Sequence, residues 1–180
     1  HMRHGAFTYT SNVDGQFQRA GFAQERVVEC HGSIHQMQCL AQCGQSPWPT
    51  GVAPIGVDPT ELTAQPPYPA CPGCGGMARP SILMFGDWQW DGQRTAAQEV
   101  NLHQWLKAVG QAPLVVVELG AGTAIPTVRF FSERLVSQRA ARLVRINPRE
   151  FEVPAGQLGL SSGALAALAG IDGVLASLRR

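Results

Sequence analysis

Apolar positions along the chain alternate between short strand-like runs and longer stretches of helical periodicity. Strand patterns occur at residues 6–10, 26–30, 81–86, 112–119 and 141–147, and helical patterns at 15–21, 92–110, 125–139 and 163–178. The run 112–119 is almost continuously apolar, which is typical of a strand buried on both faces of a parallel sheet. In the helix at 92–110, the residues expected to share one apolar face are Val100, Leu102, Trp105, Leu106 and Val109. Strands that alternate with helices predict an α/β fold built on a Rossmann-like parallel sheet.

One long segment, residues 36–79, interrupts this alternation. It is rich in Pro, Gly, Gln and Cys and has little periodicity, which is unusual for a loop inside a compact domain unless something else holds it. Two close cysteine pairs lie in or beside it, Cys39 with Cys43 and Cys71 with Cys74. Four thiolates in two pairs have the spacing of a closed, tetrahedral zinc site. We therefore predict a zinc-binding module at 36–79 inserted in a domain formed by 1–35 and 80–180, the alternative being four unrelated buried thiols.

Composition and charge exclude several function classes. The 180 residues are 44% hydrophobic and 15% charged, and 14 basic residues almost balance 13 acidic ones. A net charge of +1 gives no electrostatic footprint for nucleic acid or for an anionic membrane. No apolar run is long enough to suggest a membrane helix. The cysteines fit metal binding better than disulfides, which predicts a reduced, cytoplasmic setting.

Polar residues that could bind a ligand or take part in catalysis follow the first two predicted strands. Asn12 and Asp14 come after the strand at 6–10, and His31 comes after the strand at 26–30. The carboxyl ends of parallel strands meet at one edge, where ligands bind, so these side chains are expected in one cleft. Histidine is the usual general base near neutral pH, although a lone histidine is more often structural. His35 is a possible metal ligand, but the four cysteines already provide a complete set of ligands for zinc.

A second candidate lies in the glycine turn after the strand at 112–119. Gly120 and Gly122 permit close approach of a ligand to the backbone, and Thr123 is placed to cap the helix at 125–139. The third glycine of a dinucleotide loop is lacking. About 25 residues further on, the next strand ends at Asn147, where a ribose-binding residue is expected. This pattern predicts a nucleotide-contacting turn.

Taken together, these motifs resemble the sirtuin family. The stretches TSNVDGQFQRAG, ECHGSIH, ARPSILMFGD and LVRINPRE, with the paired cysteines, follow the order and nearly the wording of these NAD-dependent protein lysine deacylases. The resemblance covers residues 7–147. It implies transfer of an acyl group from lysine to ADP-ribose with release of nicotinamide, and it implies NAD and zinc as cofactors and an acyl-lysine protein or peptide as substrate.

The resemblance also implies roles for individual residues. His31 would be the general base, and Asn12 and Asp14 would act beside it in the nicotinamide pocket, next to Ser11. Phe85, Gly86 and Asp87 would form the strand edge on which the substrate peptide lies by β-augmentation. The remaining NAD contacts would be Gly120, Ala121, Gly122, Thr123 and Asn147, and the zinc ligands would be Cys39, Cys43, Cys71 and Cys74.

Three features depart from the family pattern. Ser11 stands where a glutamine is usual, and GAG at 120–122 replaces a glycine-threonine-serine turn. The N-terminal strand and glycine-rich cofactor loop of the family do not precede the strand at 6–10, so we expect a chain that lacks that portion. Two other functions therefore stay open: an NAD hydrolase or ADP-ribosyltransferase that uses the same pocket, and a catalytically silent, zinc-stabilised binding module.

Overall fold

A computed structural model describes residues 4–51 and 56–178. Residues 52–55 of the predicted zinc module lie outside these ranges. The chain forms two compact units, one ending at Ala108 and the other beginning at Val109. Among the described residues, no helix combines the length and the apolar character needed to cross a membrane. Both units contain parallel strands and helices, so the predicted α/β class is confirmed, whereas its Rossmann-like form and the predicted domain bounds stay predictions.

The first unit begins with a parallel pair of strands. β1 (Thr8–Thr10) pairs with β2 (Val27–Glu29), and Thr10 lies opposite Glu29. The connection between them contains a short helix, α1 (Gln16–Arg19), and a 3-10 turn (Gln24–Arg26). All of β2 is buried, as its apolar pattern predicts.

An antiparallel sheet follows, which the sequence pattern did not predict. β3 (Gly32–Cys39) lies between β4 (Trp48–Pro49) and β5 (Ala78–Ile82). β5 corresponds to the predicted strand at 81–86, but it begins earlier and pairs antiparallel with β3 rather than joining a parallel sheet. The register shifts between Ser33 and Met37, and this irregularity breaks the alternation by which β3 could have been recognised. β3 runs directly into the first metal-site cysteine, Cys39.

Gly32 makes the start of β3 possible. Its φ is +81°, and a Cβ on this residue would lie 2.0 Å from the carbonyl oxygen of Ser81 on the paired strand. Only glycine combines this backbone conformation with so close an approach. The pairing of β3 with β5 therefore requires glycine at the position after His31.

The next helix is α2 (Gln93–Val109), which belongs to the first unit except for its last residue. Leu102, Leu106 and Val109 are buried and Trp105 is half-buried, as predicted. Val100 is 53% exposed, so its predicted place on the apolar face is wrong. Val100 precedes Leu102 by two positions, about 200° around the helix, and thus points away from that face.

The second unit is a parallel sheet with two helices. β6 (Val115–Leu119), β7 (Arg142–Ile146) and β8 (Leu158–Leu160) pair in that order, with α3 (Thr127–Arg139) after β6 and α4 (Ala164–Leu178) at the end. β8 was not predicted, because three residues carry too little pattern. The two faces of β6 are not both buried: Val115, Val117 and Leu119 are exposed, and only Glu118 of this strand is buried. The prediction was wrong because an apolar run does not reveal whether a second layer covers it.

A buried ion cluster lies in the sheet of the second unit. Arg145 on β7 pairs across the strands with Glu118 on β6 and donates to Glu133 on α3 at 2.9 Å. Arg145 also donates to the carbonyl of Glu152. Burial acts to lower the pKa of Arg145, but its hydrogen bonds to the two carboxylates raise it above its ordinary value. The guanidinium therefore stays charged in the core.

We predict that Gly32→Ala destabilises the chain much more than Gly21→Ala. Both glycines have positive φ, but a Cβ at position 21 would meet nothing within 4 Å. Gly21→Ala should therefore lower the free energy of unfolding only by the backbone strain, about 1 kcal/mol. Gly32→Ala adds a clash with the Ser81 carbonyl and should cost more than about 3 kcal/mol. Urea unfolding followed by circular dichroism measures both, and equal losses would contradict the assignment.

Candidate functional site

The four paired cysteines form a cluster. Cys39 ends β3, Cys43 follows it in a turn, and Cys71 and Cys74 bracket the CPGC turn. All four sulfur atoms lie within 4.8 Å of one another, with Cys39 Sγ 3.7 Å from Cys74 Sγ and Cys43 Sγ 3.6 Å from Cys71 Sγ. Tetrahedral zinc with Zn–S bonds of about 2.3 Å requires sulfur separations of about 3.8 Å. The donor set and the distances both fit zinc, as predicted.

Backbone hydrogen bonds hold the CPGC turn in place. The amide of Gly75 donates to the carbonyl of Cys71 at 2.8 Å, and the amide of Cys71 donates to the carbonyl of Gly76 at 2.7 Å. The amide of Gly76 points at Cys74 Sγ at 3.4 Å. Near the other pair, the backbone N–H of Cys43 lowers the pKa of the Cys39 thiol to about 6. Four protein ligands close the coordination sphere, which is the arrangement of a structural site rather than a catalytic one.

The start of β3 brings together three of the predicted catalytic and substrate segments. The amide of Ile34 donates to the carbonyl of Val13 at 2.9 Å, so the loop of Ser11, Asn12 and Asp14 is attached to the strand that follows His31. On the other side, the amide of Leu83 donates to the carbonyl of His31 at 3.0 Å. The segment that continues to Phe85 is thereby attached to the same turn. These contacts lie within the first unit.

His31 is half-buried in this turn. Burial lowers the pKa of its imidazole below 6.5, which favours the neutral, proton-accepting form at neutral pH. Burial also raises the pKa of the adjacent Cys30 to about 11, so that this thiol stays protonated and unreactive. His35 lies outside the cysteine cluster, and its Nε2 is 3.1 Å from the carbonyl oxygen of Asp14. His31 is therefore suited to accept a proton at neutral pH.

The predicted substrate segment forms an exposed turn after β5. Phe85 is 89% exposed. Asp87 binds Arg79 through both carboxylate oxygens, at 2.9 and 2.7 Å, and accepts from the amide of Gln89 at 3.1 Å. Partial burial acts to raise the pKa of Asp87, but these hydrogen bonds leave it below its ordinary value. The Asp87 carboxylate therefore organises the turn and leaves the Phe85 side chain in solvent.

In the second unit, the glycine turn is closed by a carboxylate that our sequence interpretation missed. Glu150 accepts the Thr123 hydroxyl at 2.5 Å and the Thr123 amide at 3.1 Å. The hydroxyl bond lowers the pKa of Glu150, with burial opposing it only in part. Thr123 does not cap α3, because the residue before that helix is Pro126 and it carries no side-chain cap. The stretch LVRINPRE contains Glu150, but no spacing rule links it to Thr123.

Asn147 joins the glycine turn to the segment that carries Glu150. Its Nδ2 donates to the carbonyl of Ala121 at 3.2 Å, and its Oδ1 accepts from the amides of Arg149 and Glu150 at 2.9 and 3.0 Å. Arg129 on α3 donates to the same Ala121 carbonyl at 3.1 Å and to the carbonyl of Glu150. Asn147 is buried, and Gly120 has a φ of +66° with open space beside it. The structure thus brings the turn 120–123 and Asn147 together, while their role in binding a nucleotide stays a prediction.

Relatives among curated proteins are deacylases and deacetylases. One is an "NAD-dependent protein deacylase 1" of Pseudomonas aeruginosa, 31% identical over 140 residues, which are 78% of this chain and 50% of the relative. Another is an "NAD-dependent protein deacylase" of Thermus thermophilus, 31% identical over 170 residues, which are 93% of this chain and 57% of the relative. The chain thus spans about half the length of the curated relatives it matches.

Solved structures and a family profile agree with these relatives. A structure described as "Sir2-p53 peptide-NAD+" has a TM-score of 0.58 and 20% identity, over 94% of this chain and 63% of that one. "The Structural basis for Sirtuin Substrate affinity" also has a TM-score of 0.58, with 17% identity over 92% of this chain and 62% of that one. The profile of the Sir2 family matches residues 2–117. The chain therefore belongs to the Sir2 family, the sirtuins.

Proposed function

We propose that this chain carries the acyl-transfer chemistry of an NAD-dependent protein lysine deacylase. The observation that carries the proposal is the half-buried His31, which the backbone holds beside both the Asn12 loop and the Phe85 turn. An imidazole with a lowered pKa is neutral at physiological pH and can act as a general base. Membership of the Sir2 family and the deacylase relatives support the same reaction.

NAD supplies, when bound, a ribose carbon that accepts the acyl oxygen as nicotinamide departs. In this reaction His31 accepts a proton from a ribose hydroxyl. Ser11, Asn12 and Asp14 lie on the loop attached to the start of β3, and we assign them to the nicotinamide end of the cofactor. Asp14 Oδ1 accepts the amide of Gln16 at 3.1 Å, which fixes the carboxylate at the start of α1.

The acyl-lysine peptide is assigned to the turn after β5. β5 is the edge strand of its sheet: the amide of Ala78 at its start donates to the carbonyl of Pro69, and the edge beyond Ala78 is left for a peptide in extended conformation. In the second unit, the proposal assigns nucleotide contacts to Gly120, Ala121, Gly122, Thr123 and Asn147. The Asn147 amide and Glu150 hold this turn in a fixed shape before any ligand arrives, which lowers the ordering cost of binding.

Zinc is assigned a structural role. The cysteine cluster joins the end of β3 to the CPGC turn, whose neighbour Ala78 begins β5. Metal binding would therefore join the end of β3 to the start of β5. The start of β3 and the end of β5 lie beside His31. No step of the acyl transfer needs the metal.

His31→Ala should lower the rate of deacylation by at least about 100-fold, because it removes the proton acceptor. The purified chain is incubated with NAD and an acetyl-lysine peptide, and nicotinamide and acylated ADP-ribose are quantified by mass spectrometry.

The acid limb of kcat/KM should have a midpoint below pH 6.5, since the lowered pKa of His31 keeps the base deprotonated to lower pH. His103→Ala, on the exposed side of α2, is the matched control and should retain the unmodified rate.

The products separate the competing functions. Acylated ADP-ribose indicates deacylation, whereas ADP-ribose alone indicates NAD hydrolysis. A chain that binds no NAD in calorimetry and releases no nicotinamide would be a silent zinc-stabilised module. Full deacylation by His31→Ala would show that His31 is not the base.

Removal of zinc should unfold the region that the cysteines join. The chain should bind one zinc ion, and Cys74→Ser should lower the bound fraction at least tenfold, because a hydroxyl replaces a thiolate. Zinc content is measured by atomic emission after dialysis, and thermal unfolding is followed with and without a chelator. Cys30→Ala is the matched control, since Cys30 is buried outside the cluster. Equal zinc loss in both variants would contradict the four-cysteine site.

A further inference from the structure

Glu29 is a buried carboxylate just ahead of the candidate base. It ends β2 and is 1% exposed, and its Oε2 lies 2.6 Å from Nη2 of Arg94 on α2. Gln98, one turn further along α2, donates to the same oxygen at 3.4 Å. Arg94 has no other salt bridge among residues 4–51 and 56–178. Glu29 is therefore the acidic partner of Arg94 within the described residues, although Nη1 of Arg94 is buried without a hydrogen-bond partner.

The same helix also satisfies the backbone of Glu29. Its amide donates to Oε1 of Gln98 at 3.1 Å, and its carbonyl accepts the hydroxyl of Thr95 at 3.0 Å. Thr95 and Gln98 are themselves buried. Arg94, Thr95 and Gln98 occupy positions i, i+1 and i+4 of α2, so one stretch of helix contacts both the side chain and the main chain of Glu29. Both the main chain and the side chain of Glu29 are thus attached to α2.

His31 is two residues beyond this attachment. Extended residues span at most about 3.6 Å each, so the Cα atoms of Glu29 and His31 are within about 7 Å. Between them, the amide of Cys30 donates to the carbonyl of Thr10 on β1 at 2.9 Å. After His31 comes the Gly32 contact with Ser81. The histidine therefore lies in a two-residue turn that is fixed on both sides.

We propose that Glu29 and Arg94 are positioning residues for His31: their buried pair, fixed to the start of α2, holds the Cys30–His31 turn and keeps its surroundings electrically neutral. The inference rests on the proposed role of His31 as the base. A lone buried carboxylate so near would favour the imidazolium, whereas a lone guanidinium would oppose it. Paired, the two charges cancel and leave burial to set the proton affinity of the histidine.

Other titratable groups belong to the elements around this turn. They are Tyr9 on β1, Asp14 on the loop after β1, His35 on β3, Asp87 on the turn after β5, and Glu99 on α2. Asp87 is paired with Arg79, and the Tyr9 side chain is hydrogen-bonded to Cys30. None of these groups is altered by the variants below, so among the charges around this turn only that of the Glu29–Arg94 pair is changed.

The experiment is an NMR titration of the His31 imidazole in the zinc-loaded chain, with its resonance assigned from a His31→Gln sample. Glu29→Gln keeps the shape of the side chain but leaves Arg94 uncompensated, so the midpoint should fall by about half a pH unit. Arg94→Lys keeps the charge and should leave the midpoint near that of the unmodified chain. The double variant Glu29→Gln with Arg94→Gln restores neutrality. Its midpoint should therefore lie closer to that of the unmodified chain than to that of Glu29→Gln.

An unchanged or higher midpoint in Glu29→Gln would overturn the proposal, and so would a double variant that titrates like Glu29→Gln. A purely structural pair would alter stability in these variants without this pattern of midpoints. The titration needs no turnover. If the chain proves not to be a deacylase, the midpoints still decide the inference. If His31→Ala abolishes deacylation while Glu29→Gln leaves the midpoint unmoved, only this inference fails.

Discussion

The pairing of β3 with β5 is the constraint on which the first unit depends. β3 begins at Gly32, beside the candidate base, and ends at Cys39, a ligand of the metal cluster. Gly32 allows the strand to approach the Ser81 carbonyl, and the cysteine cluster closes the opposite end. An eight-residue strand spans about 26 Å, so metal binding and the candidate catalytic turn are far apart yet share one element. A metal held by the cysteines would therefore act on the same strand that leads away from the candidate base.

Buried charges organise both units. In the first, Glu29 and Arg94 attach the end of β2 to α2, and in the second, the buried Arg145 joins Glu118 on the neighbouring strand to Glu133 on α3. Such pairs contribute little net stability, because desolvation offsets much of the attraction, but losing one partner leaves a costly unpaired charge. They therefore disfavour any arrangement of strands and helices that would separate the paired charges. In each unit the restricted segment leads directly into a candidate functional turn.

Several elements could be predicted from sequence because their pattern is local. α2 and the helices after β6 and β8 follow from apolar periodicity, and the cysteine cluster follows from close pairs in a segment that lacked other support. β3 was missed because its register shift disturbs the alternation. The exposure of Val115 and Val117 was missed because strand hydrophobicity does not reveal which layers cover a sheet. The contact of Glu150 with Thr123 joins residues 27 positions apart and leaves no local trace.

The sequence by itself determined the family and the α/β class, it predicted the cysteine cluster, and it proposed the candidate base. These depend on residue type and short spacing, which survive without coordinates. Only the tertiary structure decided how Glu29, Arg94 and Gln98 surround the strand before His31, how Gly32 meets Ser81, and how Asn147 and Glu150 hold the glycine turn. Each of these contacts joins groups on different elements. Their strength depends on burial and on distances of about 3 Å, which only the folded chain sets.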